Sequence, residues 1–179
     1  MKADSANRVA QTLAVLALLA APASAADGPK LSLGYAFLHY LESGGGNAPV
    51  GAYLSGWGPG KTTFEIDLAW HRDEREVLDD SSTLTISSTL NTFTFLGGPR
   101  VILGGKNDQP YLHLLGGARL DKIAGTSNTS WGGAAGLGID LGTGGQRGGT
   151  RIRLGADFEM FFEDGENVKA LRLTAGLTF

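Results

Sequence analysis

The chain has 179 residues, of which 28 are glycine, six are proline and none is cysteine, and its formal net charge is −3. Without cysteine there is no disulfide framework and no thiolate metal site, and a mildly acidic chain lacks the basic face that nucleic acid requires. So much glycine, with hardly a 3.6-residue apolar stripe, also argues against a helical bundle.

The first 25 residues read as a cleavable signal peptide. Lys2 and Arg8 precede an apolar stretch from Val9 to Ala21, and Ala23-Ser24-Ala25 after Pro22 gives the small-x-small cleavage pattern. The stretch falls short of the ~20 apolar residues of a spanning helix. Cleavage after Ala25 leaves 26–179 as one exported domain, with 13 Lys and Arg against 17 Asp and Glu. Lacking disulfides, that domain is held by its own core or by lipid.

Period-two alternation dominates the mature chain. Phe64, Ile66, Leu68 and Trp70 alternate with Glu65, Asp67, Ala69 and His71, and Ile152, Leu154, Ala156, Phe158 and Met160 alternate with Arg151, Arg153, Gly155, Asp157 and Glu159. Between turn signals, eight strands are predicted at 30–40, 49–57, 62–72, 84–103, 110–121, 130–142, 150–162 and 169–179. The fourth changes apolar phase near Leu90–Asn91, which predicts a bulge there. The connections 58–61, 104–109 and 143–149 are Gly-rich turns. They alternate with the more polar, generally longer segments 41–48, 72–83, 122–130 and 163–168. Short turns on one side, longer loops on the other and ~10-residue alternating strands are the pattern of an outer-membrane barrel. The aromatics Tyr35, Tyr40, Tyr53, Trp57, Trp70, Tyr111 and Trp131 fall near predicted strand ends or interfaces, where girdles would sit.

A soluble sandwich alternates too, but export, the missing disulfides and the aromatic last residue favour an all-β, eight-stranded antiparallel up-and-down transmembrane β-barrel. In that fold the charged face points inward. It carries Arg100, Arg119, Arg151, Arg153 and Arg172 against Glu65, Asp67, Asp121, Asp140, Asp157 and Glu159. Near balance suits a lumen plugged by ion pairs, since an unpaired charge in a low-dielectric interior costs several kcal/mol. The inward glycines Gly132, Gly136 and Gly138 are expected to make room for the arginines.

FTFLGGPRVIL (93–103), followed by PYLHLLGGARL (110–120), and RIRLGADFEMFF (151–162) with LRLTAGLTF (171–179) carry a family resemblance. The chain resembles the small eight-stranded outer-membrane β-barrel proteins, the OmpA-type and opacity-protein-like group classed with the porin family. The resemblance implies a bacterial outer-membrane location and a last strand read by the barrel-assembly machinery. Phe179 would be the chief determinant, with Leu177, Ala175, Leu173 and Leu171 on the same outward face. It also implies outer-membrane lipid and lipopolysaccharide as surroundings; in one departure, the peptidoglycan-binding domain that some members append is expected to be absent, since the chain ends at Phe179.

Other motifs reduce to bland readings. Gly60-Lys61-Thr62 lacks the glycine five residues earlier, where Ser55 stands, and an alternating strand comes after it instead of a helix, so it is a turn. Lipid A deacylases carry a His-x-Ser pair, whereas His39, His71 and His113 are followed two residues on by Leu41, Asp73 and Leu115. His71, with Asp67, Asp73 and Glu74 nearby and Ser81 or Ser82 across the hairpin, reads as a solvated loop residue. His113 is expected to line the barrel and His39 the outer interface. The acidic segment 72–82 reads as a solvated loop ahead of a divalent-cation site. No catalytic residue, cofactor or metal ligand is expected. The reading is a structural or surface-interaction barrel with a largely plugged lumen; a lipid A-modifying enzyme and a small-solute pore are the alternatives.

Overall fold

The computed structural model describes residues 28–41, 46–78, 85–105, 108–123, 125–142, 149–163 and 166–179. The proposed signal peptide, Ser81 and Ser82 lie outside them. Eight long strands make one sheet: β1 (Lys30–Tyr40), β2 (Val50–Trp57), β3 (Thr62–Leu78), β4 (Thr85–Ile102), β5 (Asp108–Ile123), β6 (Thr126–Gly142), β7 (Arg151–Glu163) and β8 (Glu166–Thr178). Each pairs antiparallel with the next, and β8 pairs with β1 from Ser32↔Thr178 to Tyr40↔Ala170, so the sheet closes into an up-and-down barrel. Closure leaves no open edge, which is what lets strands cross lipid.

Pairing is broken once along β1. Tyr35 opposes Ala52 while Leu38 opposes Ala48, so two residues of β1 face three on the other side. This is a β-bulge at Pro49, a residue with no N–H to give the ladder. The bulge expected near Leu90–Asn91 is absent: β4 keeps one register with β3 from Leu78↔Thr85 to Thr62↔Val101, and one register with β5 from Leu90↔Ile123 to Ile102↔Tyr111. The apolar phase changes because Leu90 points inward. It packs with Leu38, Tyr40, Ala48 and Ala170 inside the longer-loop end of the barrel.

Several expected loops are ladder instead. β3 and β4 stay paired to Leu78↔Thr85, β5 and β6 to Ile123↔Thr126, and β7 and β8 to Glu163↔Glu166. The backbone groups there are satisfied by pairing. The acidic segment is thus in β3 as far as Leu78.

The outer wall is apolar over the middle of every strand. Phe64, Ile66, Leu68, Phe95, Val101, Leu112, Leu114, Leu137, Ile152, Leu154, Phe158, Leu171, Leu173 and Leu177 all lie exposed. In water so many exposed large apolar side chains would be a liability; around a closed barrel they form a lipid-facing belt. The inner wall is charged, with an apolar layer of Leu96, Leu115, Ala134 and Phe161 crossing it. Of the expected girdle, Tyr35 and Trp131 are exposed on the outside, whereas Tyr40, Tyr53, Trp57 and Tyr111 are buried inside.

Candidate functional site in the barrel lumen

Register builds the lumen. In antiparallel strands directly opposed residues share a face, and the ladder sets Asp140 opposite Arg153, Asp157 opposite Arg172 and Arg100 opposite His113. Charges that are remote in sequence thereby meet as neighbours.

Near the short-turn end, Asp140 is the anchor. Its Oδ2 accepts from Arg100 Nη2 at 2.9 Å and its Oδ1 from Arg153 Nε at 2.8 Å. Arg153 Nη1 also donates to Ser55 Oγ at 2.9 Å and reaches Glu65 Oε1 at 3.3 Å, and Arg100 Nη1 meets Glu65 at 3.3 Å. Both guanidinium groups stack on aromatic rings: Arg100 lies 3.5 Å from the Tyr111 centroid and 4.2 Å from Trp57, and Arg153 lies 4.1 Å from Trp57. The inward aromatics thus shield two like charges from each other while attracting each one.

His113 links this layer to the next. Its Nδ1 is 2.9 Å from Glu65 Oε2 and its Nε2 is 2.7 Å from Asp157 Oδ1. A neutral imidazole donates only once, so the ring satisfies both carboxylates as an imidazolium. Beyond it, Arg172 bridges three acids: Asp157 at 2.7 Å, Asp67 at 2.6 Å and Glu159 at 3.2 Å. A separate cluster lies toward the longer-loop end, where Arg119 pairs with Asp121 at 2.7 Å and donates to Tyr40 Oη at 3.2 Å.

Arg100, Arg119, Arg153 and Arg172 thus meet Glu65, Asp67, Asp121, Asp140, Asp157 and Glu159 in ion pairs. Arg151, the first residue of β7, stands half-buried at the short-turn end beside Gly142 and Thr178. The glycines make room differently from expectation. A Cβ on Gly136 would collide with Asp157 Oδ1 and His113 Nε2, and one on Gly138 with the Tyr111 hydroxyl, so these two accommodate the histidine, an acid and an aromatic. Gly132 instead lies against the backbone of Met160 and Phe161. Gly136→Ala should therefore lower stability by about 1–3 kcal/mol. Gly116→Ala, on the outer wall where a Cβ meets only Gly132 O at 3.8 Å, should change it by less than about 0.5 kcal/mol. The urea midpoint of the refolded barrel checks both.

His71 departs from the expectation of a solvated loop residue. It is fully buried, on the inward phase of β3, with neither ring nitrogen hydrogen-bonded among the described residues. His39 is partly exposed on the outside, 2.6 Å from Asn47 Oδ1. Among the described residues no histidine is hydrogen-bonded to a serine, the first link a hydrolytic triad needs. Leu171, Leu173, Ala175, Leu177 and Phe179 share the outer face of the closing strand, and Phe179 exchanges backbone hydrogen bonds with Leu31 at 2.8 and 3.2 Å.

A closed eight-stranded antiparallel barrel with an apolar outer belt and a charged lumen is the fold of the small outer-membrane β-barrel proteins. Neisserial surface protein A (NspA) superposes with a TM-score of 0.63 at 13% identity, covering 84% of this chain and 96% of that one. Ail, the attachment invasion locus protein of Yersinia pestis, solved with the heparin analogue sucrose octasulfate, gives a TM-score of 0.58 at 19% identity over 86% of this chain and 99% of that one. Ail in a phospholipid bilayer nanodisc gives a TM-score of 0.51 at 20% identity, with coverages of 86% and 99%. No protein-family model matches the chain, and no curated protein sequence matches it significantly.

Proposed function

We propose that the protein is a bacterial outer-membrane barrel that serves as a structural or surface-interaction element, with its lumen closed by ion pairs. The observation that carries this reading is the linked set from Arg100 through Asp140, Arg153, Glu65, His113 and Asp157 to Arg172. A lumen that narrow is filled by side chains, and buried, mutually paired charges do not part readily for a passing ion. The likeness to a surface protein and to an attachment protein supports a surface role, as does the polar, paired extension of the strands beyond the belt.

In this reading 1–25 is removed on export, the mature domain is 26–179, and the outward face ending in Phe179 is what the barrel-assembly machinery engages. Outer-membrane lipid and lipopolysaccharide surround the wall, and nucleic acid is no partner. Lipid A modification is the competing enzyme reading and solute passage the competing transport reading. Purified barrel in a planar bilayer should give no steady conductance at neutral pH, and lipid A mass spectra should be unchanged by its expression. Sustained channels would establish the pore instead, and an altered acyl count the enzyme.

A further inference from the structure

We infer that Arg72 and Lys122, on the outer wall of the barrel, hold the phosphate of an outer-leaflet lipid whose acyl chain lies in a furrow beneath them; this rests on the outer-membrane reading above. The ladder places Arg72 opposite Asn91 and Asn91 opposite Lys122, so the two cations flank one asparagine on neighbouring strands. Two strand spacings, about 10 Å, separate their backbones, a gap that long side chains close around a single phosphate. One ladder step toward the belt, Trp70 opposes Phe93 and Phe93 opposes Leu120. The cations therefore stand where the apolar wall gives way to polar residues, the depth of a headgroup.

Their present contacts leave them available. Lys122 Nζ bends back to 5.9 Å from the Phe93 ring centroid, toward the belt, and among the described residues no ion pair holds it. Among the described residues Arg72 pairs only with Glu74, at 3.4 Å, both side chains being substantially exposed, and such a surface pair is worth little. Trp70 Nε1 donates to Asn91 Oδ1 at 3.3 Å, which fixes the indole below the cations.

Beneath Lys122 the outer wall is indented. Ala118 lies between Phe95 and Trp131 in the ladder, and these rings, 59% and 68% exposed, stand out as walls. The next row is Gly97, Gly116 and Gly133 on three adjacent strands. Phe64 covers Gly97, while the space over Gly116 is open. A cationic pair at headgroup depth above an apolar furrow one chain wide complements a phosphorylated lipid. A free anion would leave the furrow idle, and a peptide would have no use for the depth.

Native mass spectrometry of the refolded barrel from detergent micelles, titrated with bisphosphorylated lipid A or its dephosphorylated form, tests this. Each cation near a membrane surface contributes about fivefold in affinity. Arg72→Gln with Lys122→Gln should thus weaken lipid A binding by about 25-fold and abolish the preference for the phosphorylated form. Gly116→Leu should weaken both forms, because it fills the furrow. Unchanged lipid A binding in the double variant, or equal binding of the two lipids to the wild type, would overturn the site. So would displacement of lipid A by millimolar inorganic phosphate. Fast gel migration of each unboiled variant shows that the barrel is intact. Its loss in the wild type would refute the barrel reading itself, and its loss only in the double variant would leave Lys122→Gln alone to decide the site.

Discussion

Arg172→Leu is expected to lower the stability of the refolded barrel by about 3–5 kcal/mol, the cost of removing one partner from a buried ion pair. Arg172 is almost completely buried and lies within 3.2 Å of Asp157, Asp67 and Glu159. Without its guanidinium, three carboxylates converge in a low-dielectric interior, where among the described residues only the His113 ion pair with Asp157 is left. Arg172→Lys should recover part of the loss, because a single ammonium cannot spread five donors over three acids. Asp157→Leu should cost less, since Arg172 keeps Asp67 and Glu159 while His113 keeps Glu65. A urea titration read by the fast-migrating unboiled form gives all three midpoints. A wild-type midpoint for Arg172→Leu would mean that the lumen is wet enough to solvate the acids, and the closed-lumen proposal would fall with it.

How much of this was legible in the sequence depended on period two. Alternation such as Phe64 to His71 assigned each charge to the inner wall, because one face of a strand must be lipid-compatible along its whole length. The pairing of Asp140 with Arg153 and of Asp157 with Arg172 was within reach once the turns were placed, since they set the antiparallel register. What hid was the apolar part of the lumen. Leu90, Leu96 and Leu115 occupy inward positions among charges, and a rule that sends leucine outward reads such residues as a break in phase. The same rule misplaced Tyr40, Trp57 and Tyr111, whose rings lie against arginines inside, and Tyr53, whose hydroxyl is hydrogen-bonded to Ser32 Oγ. Two inward glycines on β6 were the available signal: Gly138 opposes Tyr111 and Gly136 opposes His113, each leaving space for a larger inward partner. Strand ends toward the longer-loop side were illegible for another reason. Arg72 to Glu76 are five consecutive charged residues with no apolar alternation, so 73–78 reads as loop while pairing as strand.

Leu103 and Leu137 offer a test of the lipid belt that burial alone cannot mimic, because each is 60% exposed on the outside of the barrel. Leu137 sits in mid-belt, with Leu112 on one side and Ala156 on the other, whereas Leu103 comes just after the last residue of β4 at the short-turn end. If water surrounded the wall, arginine at either position would be equally harmless. In lipid the cost depends on depth: Leu137→Arg should destabilise the barrel by about 2–4 kcal/mol and Leu103→Arg by about 0–1 kcal/mol. Folding titrations in phospholipid vesicles measure the difference, and the same pair in detergent micelles, where water reaches the wall more readily, should show it reduced. Equal costs in vesicles would place the wall in water. The apolar belt would then have to be covered by another protein surface, and the charged lumen reread as the interior of a soluble barrel.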